Sequence, residues 1–303
     1  MAQLDLVILN YNRGDLLRAC LASVFASHSQ HTIQVWVVDN ASRDDSVAIV
    51  RHDFPQVRLI VNERNSGFAS GNNLALRQIL AAGEDGSARS SYVMLLNNDT
   101  VVEPDALDRL IDYLERHPTV GAVGPKVLLL DGTLDAACRR SFPTPSVSFY
   151  RMTGLSTLFP RSPRFGRYNL TYLDPDVETE VDSLVGAALL VRTSVVREVG
   201  VLDEAFFMYG EDVDWCYRIK AVGWRIVYLP TAVIHHHKRA ASTRRAIPSI
   251  RAFYDAMRIF HRKHYAQRTL APLNWLIELG ITGKEWWAIG RNLLRPADRR
   301  RVG

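Results

Sequence analysis

The chain has 303 residues, 47% of them hydrophobic, and this size allows one large α/β domain, with or without an appendage, around a sizeable core. Its three cysteines, Cys20, Cys138 and Cys216, are odd in number and scattered, which argues against a disulfide framework and fits a reducing compartment. The N-terminus resembles a strand rather than a signal peptide, and no apolar stretch reaches the roughly 18 residues of a spanning helix, so we expect a cytoplasmic protein.

Segments typical of strands and of helices alternate through the N-terminal part of the chain. Strands are predicted at 4–10, 33–39, 57–62 and 91–97, and helices at 13–27, 43–53, 69–83 and 103–118. Short β-rich segments separated by helices predict a mostly parallel sheet with helices on both faces. Ligands of such sheets collect at the carboxyl ends of the strands. We therefore expect one rim to hold Asn10, Tyr11, Asn12, Asp39, Asn40, Asn97, Asn98 and Asp99.

The regular pattern is interrupted between residues 131 and 180, where prolines alternate with aromatic residues and arginines. This composition predicts a long irregular excursion, which we interpret as an acceptor-side loop. A strand at 181–192, a helix near 194–199 and strands at 225–230 and 232–237 are predicted to resume the regular fold.

The C-terminal segment from Lys238 to Gly303 is basic and predicted to be helical. It holds 15 Lys and Arg against 4 Asp and Glu, a balance of +11, whereas the remainder holds 22 against 28, a balance of −6. This asymmetry indicates an anionic partner or, alternatively, a solvated face; no nucleic-acid recognition module accompanies it, so we expect no nucleic acid. Trp275, Trp286 and Trp287 lie in an amphipathic stretch that either packs on the main domain or contacts a membrane interface.

Asp39 and the segment "NSGFASGNN" at 65–73 are candidates for nucleotide binding. A carboxylate at a strand end can accept hydrogen bonds from a ribose hydroxyl or a base N–H, although capping of the helix near 43 is the alternative. Glycines before a helix let the backbone approach a nucleotide closely, but the segment has no Gly-Lys-Ser/Thr and can also be a tight turn. The candidates in this segment are Asn65, Gly67 and Asn73.

Asp99, in the stretch "LLNNDT" at 95–100, is a candidate metal ligand. Mg²⁺ and Mn²⁺ prefer carboxylate oxygens and take their remaining ligands from phosphates and water, while a helix cap before Pro104 is the alternative role. Three histidines at 235–237 close an apolar strand. Because strand residues alternate faces, His235 and His237 are expected to point one way and His236 the other. Imidazole can ligate Mn²⁺ as well.

The stretch "GEDVDW" at 210–215 places Glu211, Asp212 and Asp214 at the start of a predicted helix. Acids in a first turn complement the helix dipole, which is a structural role. Crowded carboxylates also raise one another's pKa, which suits a general base. In a helix, Glu211 and Asp214 share one side and Asp212 points elsewhere.

Taken together and in this order, these segments resemble inverting family 2 glycosyltransferases of the GT-A fold, above all the bacterial rhamnosyltransferase-like members. The resemblance covers about residues 4–242 and rests on "VILNYNR", "VVDNAS", "NSGFASGNN", "LLNNDT", "VGPKVLL", "LDEAFFMYGEDVDWCYR" and the strand-final histidine. It implies a GT-A domain over residues 1–242 and a basic, helical C-terminal extension over 243–303.

The resemblance also implies roles for single residues. Asp39 would bind the base or ribose of the donor, with Asn10, Tyr11, Asn12, Asn65, Gly67, Asn73 and Asn98 nearby. Asp99 matches the last acid of the family's Asp-X-Asp metal motif, and His235 matches a histidine that joins the metal in some members. Asp212, beside Glu211, matches the acid that serves as catalytic base. Asn97 stands where the family often has an acid; it joins the further candidates Asp214, Trp215 and Arg218.

The implied activity is transfer of a sugar, with inversion, from a nucleotide-diphosphate sugar to a hydroxyl of a growing cell-surface glycan or lipid-linked saccharide. The resemblance favours dTDP-L-rhamnose as donor and Mn²⁺ or Mg²⁺ as cofactor, and a lipid-linked acceptor would place the enzyme at the inner face of the cytoplasmic membrane. A sugar nucleotidyltransferase is the alternative, but it usually has a Gly-rich basic loop where this chain has "NYNRGD". A non-catalytic nucleotide-sugar-binding protein would not need the acids at 211–214.

Overall fold

The computed structural model describes residues 2–82, 90–237 and 246–294 and shows the alternation of strands and helices that the sequence predicts. The strands are β1 (Gln3–Asn10), β2 (Thr32–Asp39), β3 (Arg58–Val61), β4 (Tyr92–Asn97), β5 (Thr100–Val102), β6 (Val120–Leu129), β7 (Thr179–Glu180), β8 (Ala188–Arg192) and β9 (Arg225–His236). The helices are α1 (Gly14–Ala26), α2 (Ser46–Asp53), α3 (Gly67–Ala82), α4 (Ala106–Arg116), α5 (Pro145–Met152), α6 (Leu155–Leu158), α7 (Thr193–Val199), α8 (Glu211–Ala221), α9 (Ala246–His264) and α10 (Ala271–Leu293), with a 3₁₀ turn at Ala266–Arg268.

The strands form one mixed sheet in the order β3-β2-β1-β4-β8-β6-β9-β5, and β7 pairs with β9. The pairs β3-β2, β2-β1, β1-β4 and β6-β9 are parallel, whereas β8 runs antiparallel to both β4 and β6. The strands are buried over most of their length because helices cover both faces, as is usual for parallel sheets. This is the α/β, GT-A type of sheet that the sequence predicts.

Helix α4 illustrates how the helices attach to the sheet. Leu107, Leu110, Ile111 and Leu114 recur at the helical period and are fully buried, while the intervening charged residues stay at the surface. A second, smaller cluster joins α9 to α8; its buried members are Phe206, Val213, Ala256 and Phe260. The C-terminal helices are therefore attached directly to the helix that begins with the acid cluster.

Three segments differ from the sequence-based expectation. The strand predicted at 181–192 is confined to β8, because Ser183 exchanges backbone hydrogen bonds with Arg140 and Gly186 donates its N–H to Asp212. The strands predicted at 225–230 and 232–237 form one strand, β9, with a register shift in its pairing with β6. The excursion at 131–180 contains α5, α6 and β7 between turns. Within the described residues, no helix combines the length and the hydropathy of a membrane span.

Candidate active site

The ends of β1, β2 and β4 meet in a chain of buried side-chain hydrogen bonds. Asn10 and Asp39 are register partners on neighbouring parallel strands. Asn10 donates its amide N–H to Asp39 Oδ1 (3.1 Å), and its Oδ1 accepts from the amide of Asn98 (2.6 Å). Asp39 Oδ2 accepts the backbone N–H of Ser42 (2.8 Å). The structure thus brings Asn10, Asp39 and Asn98 together at one rim, and both Asp39 oxygens are held by fixed donors.

The loop after β1 is fixed against the loop after β2. Asn12 has a positive φ of 53°, donates its backbone N–H to Ser42 Oγ (2.9 Å), and accepts the N–H of Arg43 at its side-chain oxygen (2.7 Å). Short polar side chains tolerate this left-handed conformation. Tyr11, which stands between Asn10 and Asn12 in the sequence, is half-buried at the end of β1.

Asn40 organises the glycine-containing loop. Its amide donates to Asn65 Oδ1 (3.0 Å) and to the carbonyl of Gly67 (3.1 Å). Gly67 has a φ of 87°, and a Cβ at this position would lie 2.4 Å from the carbonyl oxygen of Phe207. Glycine is therefore required here by close packing against the loop before α8, in addition to any role toward a nucleotide.

Asn73 lies away from the rim. It is fully buried, donates to the carbonyl of Leu202 (2.9 Å) and accepts the N–H of the same residue (3.1 Å). Its amide also donates to Glu204 (2.8 Å). Both functional groups of Asn73 therefore attach α3 to the segment before α8, a structural role that differs from the expected contact with the donor.

The stretch after β4 places Asp99 beside a histidine of β9. Asp99 Oδ1 is buried, lies 3.1 Å from Nε2 of His236, and receives no hydrogen bond of acceptable angle within the described residues. His236 Nδ1 lies 3.3 Å from a carboxylate oxygen of Asp135. Asn97 also approaches, with its amide nitrogen 3.5 Å from His236 Nε2. Burial lowers the pKa of His236, but Asp135 and Asp99 outweigh this effect and raise that pKa to about 9.

The histidine that faces Asp99 is thus His236, in place of the expected His235. Alternation along β9 explains the difference, because His235 points to the opposite side of the strand, where its Nε2 pairs with Glu103 at 3.0 Å. The backbone N–H of His237 donates to the carbonyl of Asp99 (2.7 Å), which aligns the two segments. The sequence identified the three consecutive histidines. The register between β5 and β9 determines that the middle one, His236, faces Asp99.

The Asp99–His236 pair offers two ligands to a divalent cation, since carboxylate and neutral imidazole both bind Mn²⁺. The cation would have to replace the proton that His236, with its raised pKa, holds beside Asp99 Oδ1. In the part of the chain that the structure describes, no group of three or more His, Cys, Asp or Glu has the arrangement of a complete metal site. Further ligands would have to come from phosphate oxygens or water, as is usual for Mg²⁺ and Mn²⁺ sites.

At the start of α8, Asp212 is held in a buried ion pair. Its Oδ2 accepts from Arg140 (2.7 Å) and from the backbone N–H of Gly186 (3.0 Å), and its Oδ1 accepts the N–H of Val213 (2.8 Å). Burial lowers the pKa of the Arg140 guanidinium, but the charge of Asp212 outweighs this effect and raises that pKa, so Arg140 stays positively charged beside the carboxylate. Arg140 belongs to the irregular excursion, and nothing in its local sequence indicated this contact.

Glu211 has the opposite environment. Its Oε2 is buried without a hydrogen-bond partner among the described residues. Burial, and next the charge of Asp212, raise the pKa of Glu211 to about 8, so this acid is mostly protonated at neutral pH. The two adjacent acids therefore have different surroundings, since Asp212 is bonded to Arg140 and Gly186 whereas Glu211 Oε2 has no partner among the described residues, and such a difference is typical of acid–base sites.

Asp214, Trp215 and Arg218 turn away from this pair. Burial opposes ionisation of Asp214, but His264, Lys263 and Arg218 outweigh it and lower its pKa to about 2. The indole N–H of Trp215 donates to the carbonyl of Gly200 (2.8 Å). Arg218 donates to the carbonyls of Val199 and Val201 as well. The three residues attach α8 to its neighbours.

A short backbone segment links the two acidic clusters. The N–H of Asn97, at the end of β4, donates to the carbonyl of Ala187 (2.9 Å), while the adjacent Gly186 donates to Asp212. A Cβ on Gly186 would lie 3.4 Å from the Cβ of Asp212 and 3.5 Å from the ring of Phe68, the residue after Gly67. Residues 186–187 therefore join the end of β4, which precedes Asp99, to Asp212 and to the glycine-containing loop.

Comparisons with known proteins agree with this geometry. The sequence profile described as "Glycosyl transferase family 2" matches residues 5–158. N-acetylglucosaminyl-diphospho-decaprenol L-rhamnosyltransferase of Mycobacterium tuberculosis is 31% identical over 302 residues, which are 99% of this chain and 96% of the relative. Rhamnosyltransferase WbbL of Escherichia coli K12 is 30% identical over 57% of this chain and 63% of its own length.

Solved structures show the same fold at low identity. The mannosyltransferase PcManGT of Pyrobaculum calidifontis, in complex with GDP-Man and Mn²⁺, matches 97% of this chain and 72% of its own with a TM-score of 0.55 and 16% identity. GalNAc-T7 with UDP, GalNAc and Mn²⁺ matches 98% of this chain and 59% of its own with a TM-score of 0.59 and 13% identity.

Proposed function

Because this chain belongs to glycosyl transferase family 2, we propose that it transfers L-rhamnose, with inversion, from dTDP-L-rhamnose to a hydroxyl of a lipid-linked saccharide. The observation that carries the proposal is the continuity between the Asp99 region and Asp212 through Gly186 and Ala187. One end of such a site can hold a diphosphate and the other a base for the acceptor hydroxyl. The names of the relatives support the rhamnosyl donor and the lipid-linked acceptor.

The rim at β1, β2 and β4 is the proposed nucleotide end. Asp39 is oriented by Asn10 and Ser42 with acceptor capacity left over, so it can accept hydrogen bonds from the ribose or the base. Tyr11 lies where an aromatic face can cover a base. Asn98 and Asn65 border the same rim.

Asp99 and His236 are the residues that would hold Mn²⁺ or Mg²⁺, completed by the donor diphosphate. When bound there, the cation stabilises the negative charge of the leaving nucleoside diphosphate. Asn97, where the family often has an acid, contributes no charge of its own. Asp99 therefore supplies the negative charge beside His236, and Asp135 holds the far side of that imidazole.

Asp212 is the proposed general base. Its carboxylate is oriented by Arg140, so it can take the proton of the acceptor hydroxyl as that oxygen attacks the anomeric carbon from the face opposite the diphosphate. Burial and the charge of Asp212 raise the pKa of Glu211, which makes Glu211 the poorer candidate for the base at neutral pH. A single base suffices for inversion, because no enzyme nucleophile takes part.

Residues 1–242 form the proposed transferase domain, and 243–303 its C-terminal extension. Helix α9 of the extension bonds to Asp214 of α8 through Lys263 and His264, so the extension also stabilises the helix that carries Asp212. With a lipid-linked acceptor, the enzyme would work in the cytoplasm, peripherally at the inner face of the cytoplasmic membrane.

A donor screen tests the proposal. The full chain is incubated with dTDP-L-rhamnose, UDP-GlcNAc or GDP-mannose, with Mn²⁺ or Mg²⁺, and with an N-acetylglucosaminyl-diphospho-polyprenol acceptor. We expect acceptor-dependent release of dTDP, and loss of that release with chelator. Release of inorganic diphosphate from a nucleoside triphosphate and a sugar phosphate would instead indicate a nucleotidyltransferase. Binding of a nucleotide sugar without turnover on this acceptor would contradict the proposal.

A further inference from the structure

Helix α10 packs with its polar side against α9. Glu278 accepts from Arg262 (2.6 Å), and Asn274 lies 2.8 Å from Nε2 of His261, so polar side chains of α10 are bonded to α9. Glu285 is bonded to Arg258 in the same way. These pairs satisfy the buried polar groups between the two helices, and they fix the rotation of α10 about its axis.

The outward side of α10 is consequently apolar. At 100° per residue, six of its large exposed side chains fall within an arc of about 120°, and Leu273, 46% exposed, extends this arc to about 160°. The six are 54–67% exposed and comprise Trp275, Leu276, Leu279, Trp286, Trp287 and Leu293. Monomeric soluble proteins rarely expose contiguous apolar surface on this scale, so a face of this kind marks an interaction site.

One border of this apolar face carries positive charge. Lys284 Nζ and the guanidinium of Arg291 lie 5.4 Å and 5.2 Å from the centre of the Trp287 ring. The segment from Lys238 to Gly303, which includes α10, has a balance of +11 in the sequence. A symmetric pair of such faces would bring two strongly basic segments together, whereas an anionic surface would attract them.

The apolar face continues onto the irregular excursion. The terminal methyl of Met152, in α5, lies 3.7 Å from the position of a Cβ on Gly280 of α10. Close to it in sequence, Phe149, Leu158 and Phe159 are exposed. The apolar face therefore meets α5 at Met152, and this part of the excursion also exposes apolar side chains.

We propose that the outward face of α10, extended by α5 and α6, docks the enzyme on an anionic lipid surface with α10 lying in the plane of the interface. Tryptophans, leucines and flanking cations are the composition of helices that lie at such interfaces. With 23 residues, α10 lies flat rather than crossing, since no described helix has the properties of a span. This inference deepens the proposed function, because a docked enzyme meets a lipid-linked acceptor where it resides.

The docking would also orient the active site. Helix α9 packs on α8 through Phe260 and Ala256, and its Lys263 and His264 bond to Asp214. Since α10 is bonded to α9, the lipid-facing surface is joined through packed helices to the start of α8. Asp212 would therefore be held at a fixed height above the lipid surface.

Flotation of the full chain with vesicles tests the inference, without donor or metal. Phosphatidylcholine vesicles with about 30% phosphatidylglycerol are compared with pure phosphatidylcholine vesicles. We expect binding to the anionic vesicles, weaker binding at high salt, and a loss of more than about tenfold for the triple variant Trp275→Ser/Leu279→Ser/Trp286→Ser. The control Leu130→Ser/Val222→Ser, also at exposed apolar positions, should float like the native chain.

The design separates docking from catalysis. The triple variant should keep its turnover on a water-soluble acceptor analogue and lose turnover on the acceptor in vesicles; retained circular dichroism confirms that it folds. Equal flotation of native chain and triple variant would overturn the inference. So would a dimer, detected by light scattering, that the triple substitution dissociates. Flotation without any glycosyl transfer would refute the proposed function and leave the docking intact.

Discussion

The strand-end rim and helix α10 distribute polar and apolar side chains in opposite ways. At the rim, polar side chains such as Asn10 and Asp39 are buried inside the protein and bonded to one another, and the apolar residues of the strands fill the core. In α10, polar residues such as Glu278 also bond inward, but most of the large apolar residues face out, with Ile281 and Ile289 as buried exceptions. Amphipathic spacing thus shows that a helix or strand has a polar and an apolar face. Which of the two faces is exposed depends on the residues that bond to the polar face.

The comparison extends to charge. Around α8, carboxylates are buried and bonded to basic side chains, as in the pairs of Asp212 with Arg140 and of Asp214 with His264. At the outer border of α10, Lys284 and Arg291 lie over the exposed ring of Trp287. Substitutions at buried, matched charges should therefore have large effects, and substitutions on the outer face of α10 small ones.

The largest effect is expected for Asp212→Asn. The amide cannot accept the acceptor proton, so turnover should fall by a factor of roughly 10²–10⁴, while binding of the donor should persist. Release of nucleoside diphosphate measures the turnover, and a thermal shift with the donor measures the binding. Glu211→Gln serves as the matched control and should keep most of the turnover, because Glu211 is already neutral at pH 7. Native turnover in Asp212→Asn would remove this residue from the role of base.

The next largest effect is expected for Arg140→Met. Leaving Asp212 buried and unpaired should lower the free energy of unfolding by roughly 3–5 kcal/mol. The loss of the guanidinium that orients the Asp212 carboxylate should also lower turnover. Urea denaturation and nucleoside diphosphate release measure the two effects.

A double variant checks this reasoning. Arg140→Met/Asp212→Asn removes the buried charge as well as its partner, and it should recover much of the stability that Arg140→Met alone loses. If the double variant is as unstable as Arg140→Met, Arg140 stabilises the excursion by packing rather than through Asp212.

Asp214→Asn should have a smaller effect that depends on pH. The folded-state pKa of Asp214 is lowered to about 2 from a model-compound value of 3.8, so its ionisation stabilises the fold by about 2 kcal/mol at neutral pH. This stability is present above about pH 4 and is lost as the pH falls toward 2. The difference between native chain and variant in urea denaturation should shrink over that range. Asp15→Asn, at an exposed site, should show no such change.

The sequence predicted the order of the elements and the convergence of the strand ends, because the alternation of apolar strands and helices leaves few topologies. It predicted less about contacts between distant segments. Arg140 lies 72 positions from Asp212, and the choice of His236 over His235 depends on strand register, which sequence spacing does not specify. Asn73 shows a different limit. Its place in a recognisable motif predicted a contact with the donor and did not reveal that its side chain bonds α3 to Leu202.

The smallest effect is expected on the outer face of α10. Leu279→Ala removes a side chain that is 54% exposed, so it should change the free energy of unfolding by less than about 0.5 kcal/mol. The matched substitution Leu76→Ala, at a fully buried position in α3, should cost roughly 2–5 kcal/mol. Urea denaturation at low protein concentration measures the free energy of unfolding of both variants. Equal losses would mean that Leu279 is covered in solution by other protein surface, and the lipid-docking inference would then lose the free face on which it rests.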